Sequence, residues 1–133
     1  MQKRYWFWDL ETLNIFTATF IARDSDDTKV FIISERRNDR KLLLDFLEKE
    51  VEGLIGYNSL FFDAQVLEYI IRNPNCTADE IRRYAIIITS EDNRKPDVPE
   101  WKLKHKHLDL FRALSLSVKA KRTGLILALY KPI

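Results

Sequence analysis

Tyr5-Trp6-Phe7-Trp8-Asp9-Leu10-Glu11-Thr12 is the stretch on which the fold turns: four aromatic residues, then two acids separated by a leucine. Tyr5 to Leu10 is short, apolar and bounded by charge, and reads as a strand buried on both faces, hence a central one. Side chains two apart in a strand point the same way, so Asp9 and Glu11 project together from its end, about 7 Å apart. Like charges at that distance raise each other's pKa unless a cation lies between them, and hard divalent ions such as Mg2+ prefer oxygen ligands. A solvated strand end would carry the same two acids, so the pair alone does not separate structure from chemistry.

Downstream, Ile15 to Arg23 and Lys29 to Ser34 are rich in β-branched and aromatic residues and are separated by the polar turn Asp24-Ser25-Asp26-Asp27-Thr28. With the first strand they predict an antiparallel meander. The period then changes. Leu43, Phe46, Leu47 and Val51 recur at helical spacing between Asn38-Asp39, a cap, and Gly53, a stop. Leu54 to Tyr57 follows as a strand, and a strand reached through a helix lies parallel to an earlier one. A second amphipathic helix is expected from Leu60 to Arg72, with Val66, Leu67, Ile70 and Ile71 on one stripe and Asn73-Pro74-Asn75 ending it. Thr77 and Glu80 form a capping box ahead of a third helix with Ile81, Tyr84, Ala85 and Ile88 on one face. Ser90 to Lys106 reads as an irregular loop holding Pro96 and Pro99. His107 to Leu114 is a short apolar segment, strand or helix start, and Leu125 to Ile133 reads as a helix barely begun before Pro132.

Asp63 stands three, four, seven and eight residues before the apolar positions of the second helix, so it heads the buried stripe. A carboxylate there is costly unless it is paired, hydrogen-bonded or metal-bound. The plainer reading is an acid in the first helical turn, favoured by the helix dipole. If the strand ending at Tyr57 lies beside the one ending at Asp9, Asp63 reaches the same sheet edge, where α/β folds bind ligands.

Composition narrows the class. A chain of 133 residues suits one domain, here the whole of 1–133, and 46% apolar with 32% charged residues is ordinary for a soluble globular protein. A net charge of +2 argues against a surface that wraps duplex DNA, so nucleic-acid contact is expected to be local. The single cysteine, Cys76, permits no intramolecular disulfide and reads as a small buried filler. The N-terminal apolar run is too short for a signal peptide or a membrane span, so a cytoplasmic protein with no membrane partner is expected.

Trp8-Asp9-Leu10-Glu11-Thr12 resembles the first exonuclease motif of the DnaQ-like DEDD 3′–5′ exonucleases, and Gly56-Tyr57-Asn58-Ser59-Leu60-Phe61-Phe62-Asp63 is similar to the second. That second motif has the Asn, spacer, Phe-Asp form of the proofreading exonuclease of family B DNA polymerases and their phage relatives. The resemblance implies an α/β, ribonuclease H-like mixed sheet, antiparallel through strands 1–3 and then parallel, flanked by helices. It implies that Asp9, Glu11 and Asp63 are catalytic and hold Mg2+ or Mn2+, two ions in a complete site, for two-metal phosphodiester hydrolysis. Thr12 and Leu13 would lie against the terminal nucleotide, Asn58 and Phe62 would contact a single-stranded 3′ end, and Tyr57 belongs to that shell. Phe62 at helical spacing is equally a core residue. Asp109, an acid in an apolar segment similar to the family's fifth-strand region, is a further candidate, in that family supportive more often than ligating.

His105 and His107 among Lys102, Lys104 and Lys106 read either as a solvated basic loop or as a phosphate-contacting strip. The third motif, a Tyr or His followed by the fourth metal-binding Asp, is expected after residue 133, with Thr123-Gly124-Leu125 leading toward it. The expected activity is therefore removal of nucleoside 5′-monophosphates from single-stranded DNA, with RNA as an alternative substrate and a polymerase domain or another replication protein as partner. The rival expectation is a catalytically crippled module that keeps the fold and binds nucleic acid or a protein.

Overall fold

A computed structural model describes residues 2–90 and 97–114. Pro96, Thr123-Gly124-Leu125 and the helix expected from Leu125 lie outside the described residues.

Five strands form one mixed sheet in the order β3-β2-β1-β4-β5. Strands β1 (Arg4–Thr12), β2 (Phe16–Ala22) and β3 (Thr28–Ile33) make the expected meander, with Asp9 opposite Thr19 and Glu11 opposite Thr17. Helix α1 (Arg40–Glu50) returns the chain to β4 (Val51–Gly56), which pairs parallel to β1. Helices α2 (Asp63–Arg72) and α3 (Ala78–Ser90) then lead to β5 (Lys106–Asp109), parallel to β4. The chain is thus α/β, antiparallel through its first three strands and parallel after them.

Three sequence expectations are corrected in detail. Val51 opens β4 rather than closing α1, because its backbone is extended and pairs with Arg4. Gly53 is not a helix stop but a residue within β4, where the Tyr5 ring lies so close that a β-carbon would stand 2.6 Å from its Cε2. Asp39 does not cap α1 with its side chain; the carboxylate turns back to accept the Ile32 N–H at 2.9 Å and pairs with Arg37 at 2.8 Å. The capping box of α3 forms as read: Glu80 accepts the Thr77 N–H at 3.2 Å and Thr77 Oγ1 accepts the Glu80 N–H at 3.1 Å.

The reading of β1 as buried on both faces is also corrected. Trp6, Trp8 and Leu10 are buried, whereas Phe7 is 43% exposed and Asp9 and Glu11 are exposed. The buried row joins one core with Leu43, Phe46 and Leu47 of α1, Val66, Leu67 and Ile70 of α2, and Ile81 and Ala85 of α3, so all three helices cover the same side of the sheet. Aromatic edge contacts tie it together, with Trp6 and Phe20 each 5.0 Å from the Phe46 ring, pairs worth about 0.5–1.5 kcal/mol beyond area burial. On the other side, Ile21, Phe7, Ile55 and Leu108 form a cross-strand row through the β2, β1, β4 and β5 registers. All but Ile55 are substantially exposed.

Candidate functional site

The loop from Tyr57 to Phe62 joins β4 to α2, and an acid far along the chain shapes it. Asp109, at the end of β5, is buried and accepts three backbone N–H groups: Asn58 at 2.7 Å and Phe111 at 3.0 Å on Oδ1, and Leu60 at 3.2 Å on Oδ2. A carboxylate satisfied by amides in this way acts as a template for the loop. Asn58 sits at φ 55°, the left-handed region that asparagine tolerates better than most residues, which gives this motif position a backbone role. Gly56 allows the turn to close tightly, since a β-carbon there would stand 2.8 Å from both Trp8 Nε1 and Ser59 Cβ. The Ser59 carbonyl then accepts the Ala64 N–H at 2.7 Å, and α2 begins at Asp63 instead of Leu60.

This turn delivers Asp63 to Asp9. Asp63 is buried, and its carboxyl is pushed up to about 7, first by burial, then by the neighbouring charge of Asp9 and last by that of Asp109. Asp9 on β1 and Asp63 at the head of α2 thus lie near enough for the charge of one to act on the other. Glu11 lies two residues beyond Asp9 on the same exposed face, opposite Thr17. Among the described residues, no three His, Cys, Asp or Glu side chains stand close enough to hold one ion between them. Asp9 and Asp63 are oxygen donors of the kind that hard divalent cations take, and one of them is desolvated by the fold. Glu11 is not gathered with them.

Thr12, Leu13 and Phe62 line one cavity of about 410 Å3, so three of the residues expected to touch a nucleotide share a wall. Leu13 is 74% exposed. Phe62 is half-buried, packs against the core as its helical spacing predicts, and also lines this cavity. Tyr57 is exposed, its ring edge-on to Phe111 at 5.5 Å, and lies outside that cavity. Asn58 is exposed at the loop's left-handed corner.

The basic segment is neither an open loop nor a row of free cations. His105 and His107 turn inward: His105 Nε2 meets the Leu47 carbonyl at 3.2 Å, and the His107 ring packs 5.5 Å from Trp8. Burial, helped by His105, holds His107 down at about 4. Lys106 pairs with Glu52 at 3.1 Å, and Lys102 lies over the Trp101 ring.

Two residues of structural weight escaped the sequence reading. Gln65 exchanges hydrogen bonds with the Val98 backbone, and Glu68 accepts the Lys104 N–H at 2.7 Å, so α2 holds the segment leading into β5. The signal for both was polar residues set among the apolar positions of α2. Asp109, legible as a lone acid in an apolar run, then fixes the far end of that segment to the site. Comparison of the chain with known protein families, curated proteins and solved structures finds no match.

Proposed function

We propose that the chain is a metal-dependent 3′–5′ exonuclease of the DnaQ-like DEDD type, with a ribonuclease H-like sheet, that removes nucleoside 5′-monophosphates from single-stranded DNA. The observation that supports this is the charge of Asp9 acting on the buried carboxyl of Asp63. Two carboxylates held together with one buried are unfavourable for the fold by themselves, and a cation between them reverses the sign of their interaction. Mg2+ or Mn2+, when bound, supplies Lewis acidity and offsets the charge that develops on the phosphate.

The chain's own residues do the rest. Asp9 and Asp63 hold the cation, and Glu11 supplies a further carboxylate on the β1 face where the phosphodiester would lie. Thr12, Leu13 and Phe62 enclose the terminal nucleotide and restrict its pose, which raises the fraction of encounters aligned for attack. Asp109 positions this assembly through the backbone of the β4–α2 loop without touching substrate. Seating of a terminal nucleotide in this open cavity would give the preference for a 3′ end, and Tyr57 and Asn58 lie on the loop that leads to Phe62.

A second reading is favoured by the position of Glu11 apart from the other two acids: a non-catalytic module that binds nucleic acid or a protein partner. One experiment separates them. Single-stranded DNA and RNA labelled at the 5′ end are incubated with the chain and Mn2+ or Mg2+, and the ladder of shortened products is resolved. Stepwise mononucleotide release is expected, falling about 100-fold or more in Asp9→Asn and Asp63→Asn. Release that persists in Asp9→Asn removes the acids from the mechanism, and binding with no release favours the module.

A further inference from the structure

The cavity walled by Thr12, Leu13 and Phe62 does not end there. It extends to Asn14 and Arg82, and those same two residues line a second, larger cavity of about 890 Å3 between the β3 end of the sheet and the start of α3. The two share Asn14 and Arg82 and read as one groove that runs from Thr12 and Phe62, the chain neighbours of Glu11 and Asp63, past Arg82 to Arg36 and Arg40. We infer that this groove is the track for the nucleotides that precede the 3′ end of a single strand, with Arg82, Arg40 and Arg36 taking its phosphates. The inference rests on the exonuclease reading for which end of the strand lies at the acids.

Guanidinium groups suit this task, since their planar fork of donors matches phosphate oxygens. Arg36 is exposed and makes no ion pair among the described residues. Arg40 donates through Nη2 to the Cys76 carbonyl, which anchors the side chain, while its Nε is buried and has no partner among the described residues. Arg82 stands where the two cavities join and is held there by Asp79 at 2.7 Å. Two carboxylates, Glu35 and Asp79, share the wall of the larger cavity, and Asp79 already carries Arg82 and Arg83. The apolar part of that wall is Ile15, Ile33, Cys76 and Ala78, with no aromatic ring among its lining residues. Binding along this stretch is therefore through the backbone, salt-dependent and indifferent to base identity.

The test measures binding of 5′-labelled oligothymidylates of about three and about twelve nucleotides to the whole chain in Ca2+, across a salt series. The longer strand is expected to bind at least about 10-fold tighter, as the additional phosphates on the arginines require. Arg36→Ala alone, outside the nucleotide cavity, should leave the short strand within about 2-fold, and the Arg36→Ala, Arg82→Ala double variant should remove most of the longer strand's advantage. It should also flatten the log-affinity against log-salt slope by about 1.4, some 0.7 for each single-strand phosphate no longer neutralised. Arg36→Glu, at an exposed residue, gives the same direction without risk to folding. Equal affinity for both lengths, or a length dependence that none of the variants alters, overturns the track. If stepwise release persists under that result, the exonuclease reading stands without it. If the length and arginine effects appear but no nucleotide is released, the track stands and the exonuclease reading falls.

Discussion

Asp63 is the residue at which structure and proposed chemistry pull against each other. Its carboxyl titrates near 7 in the folded chain, against about 3.9 when unfolded. Below pH 4 both states are protonated and nothing is lost. As pH rises from 4 to 7 the unfolded chain releases this proton and the folded chain retains it, so stability falls across that window and then levels off. Asn mimics the protonated form. Asp63→Asn should therefore match the parent near pH 4 and exceed it by on the order of 4 kcal/mol above pH 7 without divalent metal, read from urea midpoints. Adding Mn2+ should stabilise the parent and not the variant, narrowing the gap. A gap that does not change with pH would mean that Asp63 is solvated and not paired with Asp9. Asp63 was legible as a candidate because it heads an apolar stripe. The inward turn of His107 was not, since a histidine between lysines reads as solvent-facing until its strand partner Leu54 assigns it to the helix-covered side.

At the scale of elements, the β4–α2 loop depends on β5 more than on its own residues. Asp109→Ala should leave the amides of Asn58, Leu60 and Phe111 without their acceptor, destabilising the fold by roughly 2–3 kcal/mol. It should also raise KM for a single strand more than a surface substitution of equal stability cost. Asp109→Asn, which keeps one acceptor oxygen, should recover part of both effects. Unchanged KM in a folded Asp109→Ala chain would deny it the positioning role. Strands β1 to β4 were readable from β-branched and aromatic runs, and the helices from their period and the Thr77–Glu80 box, whereas β5 reads equally as a strand or a helix start. The boundaries that shifted are those set by partners distant in sequence. Val51 is drawn into the sheet by Arg4, Gly53 makes room for Tyr5, and the start of α2 is delayed by a turn tied to Asp109. None of these pairings leaves a local trace in the chain.

Across the whole molecule, the antiparallel meander and the parallel strand after the first helix were legible, whereas the place of β5 in the strand order and the sidedness of the sheet were not. A phenylalanine within an aromatic run looks buried from either side, yet Phe7, Ile21 and Leu108 face outward in one row. Contiguous apolar surface of this kind marks an interaction face or an aggregation hazard. Phe7→Thr with Ile21→Thr is expected to lower binding of a hydrophobic dye while moving the urea midpoint by no more than about 0.5 kcal/mol per site. A large loss of stability would show that the row is covered in solution. β1 alone pairs antiparallel on one flank and parallel on the other. While the chain is being synthesised, its first strand can find β2 early but must wait for Val51–Gly56 before its second ladder closes. Once closed, its backbone amides can exchange with solvent only by breaking both ladders, so they should be the last in the molecule to take up deuterium. No excised fragment lacking either flank would keep Asp9 and Asp63 together.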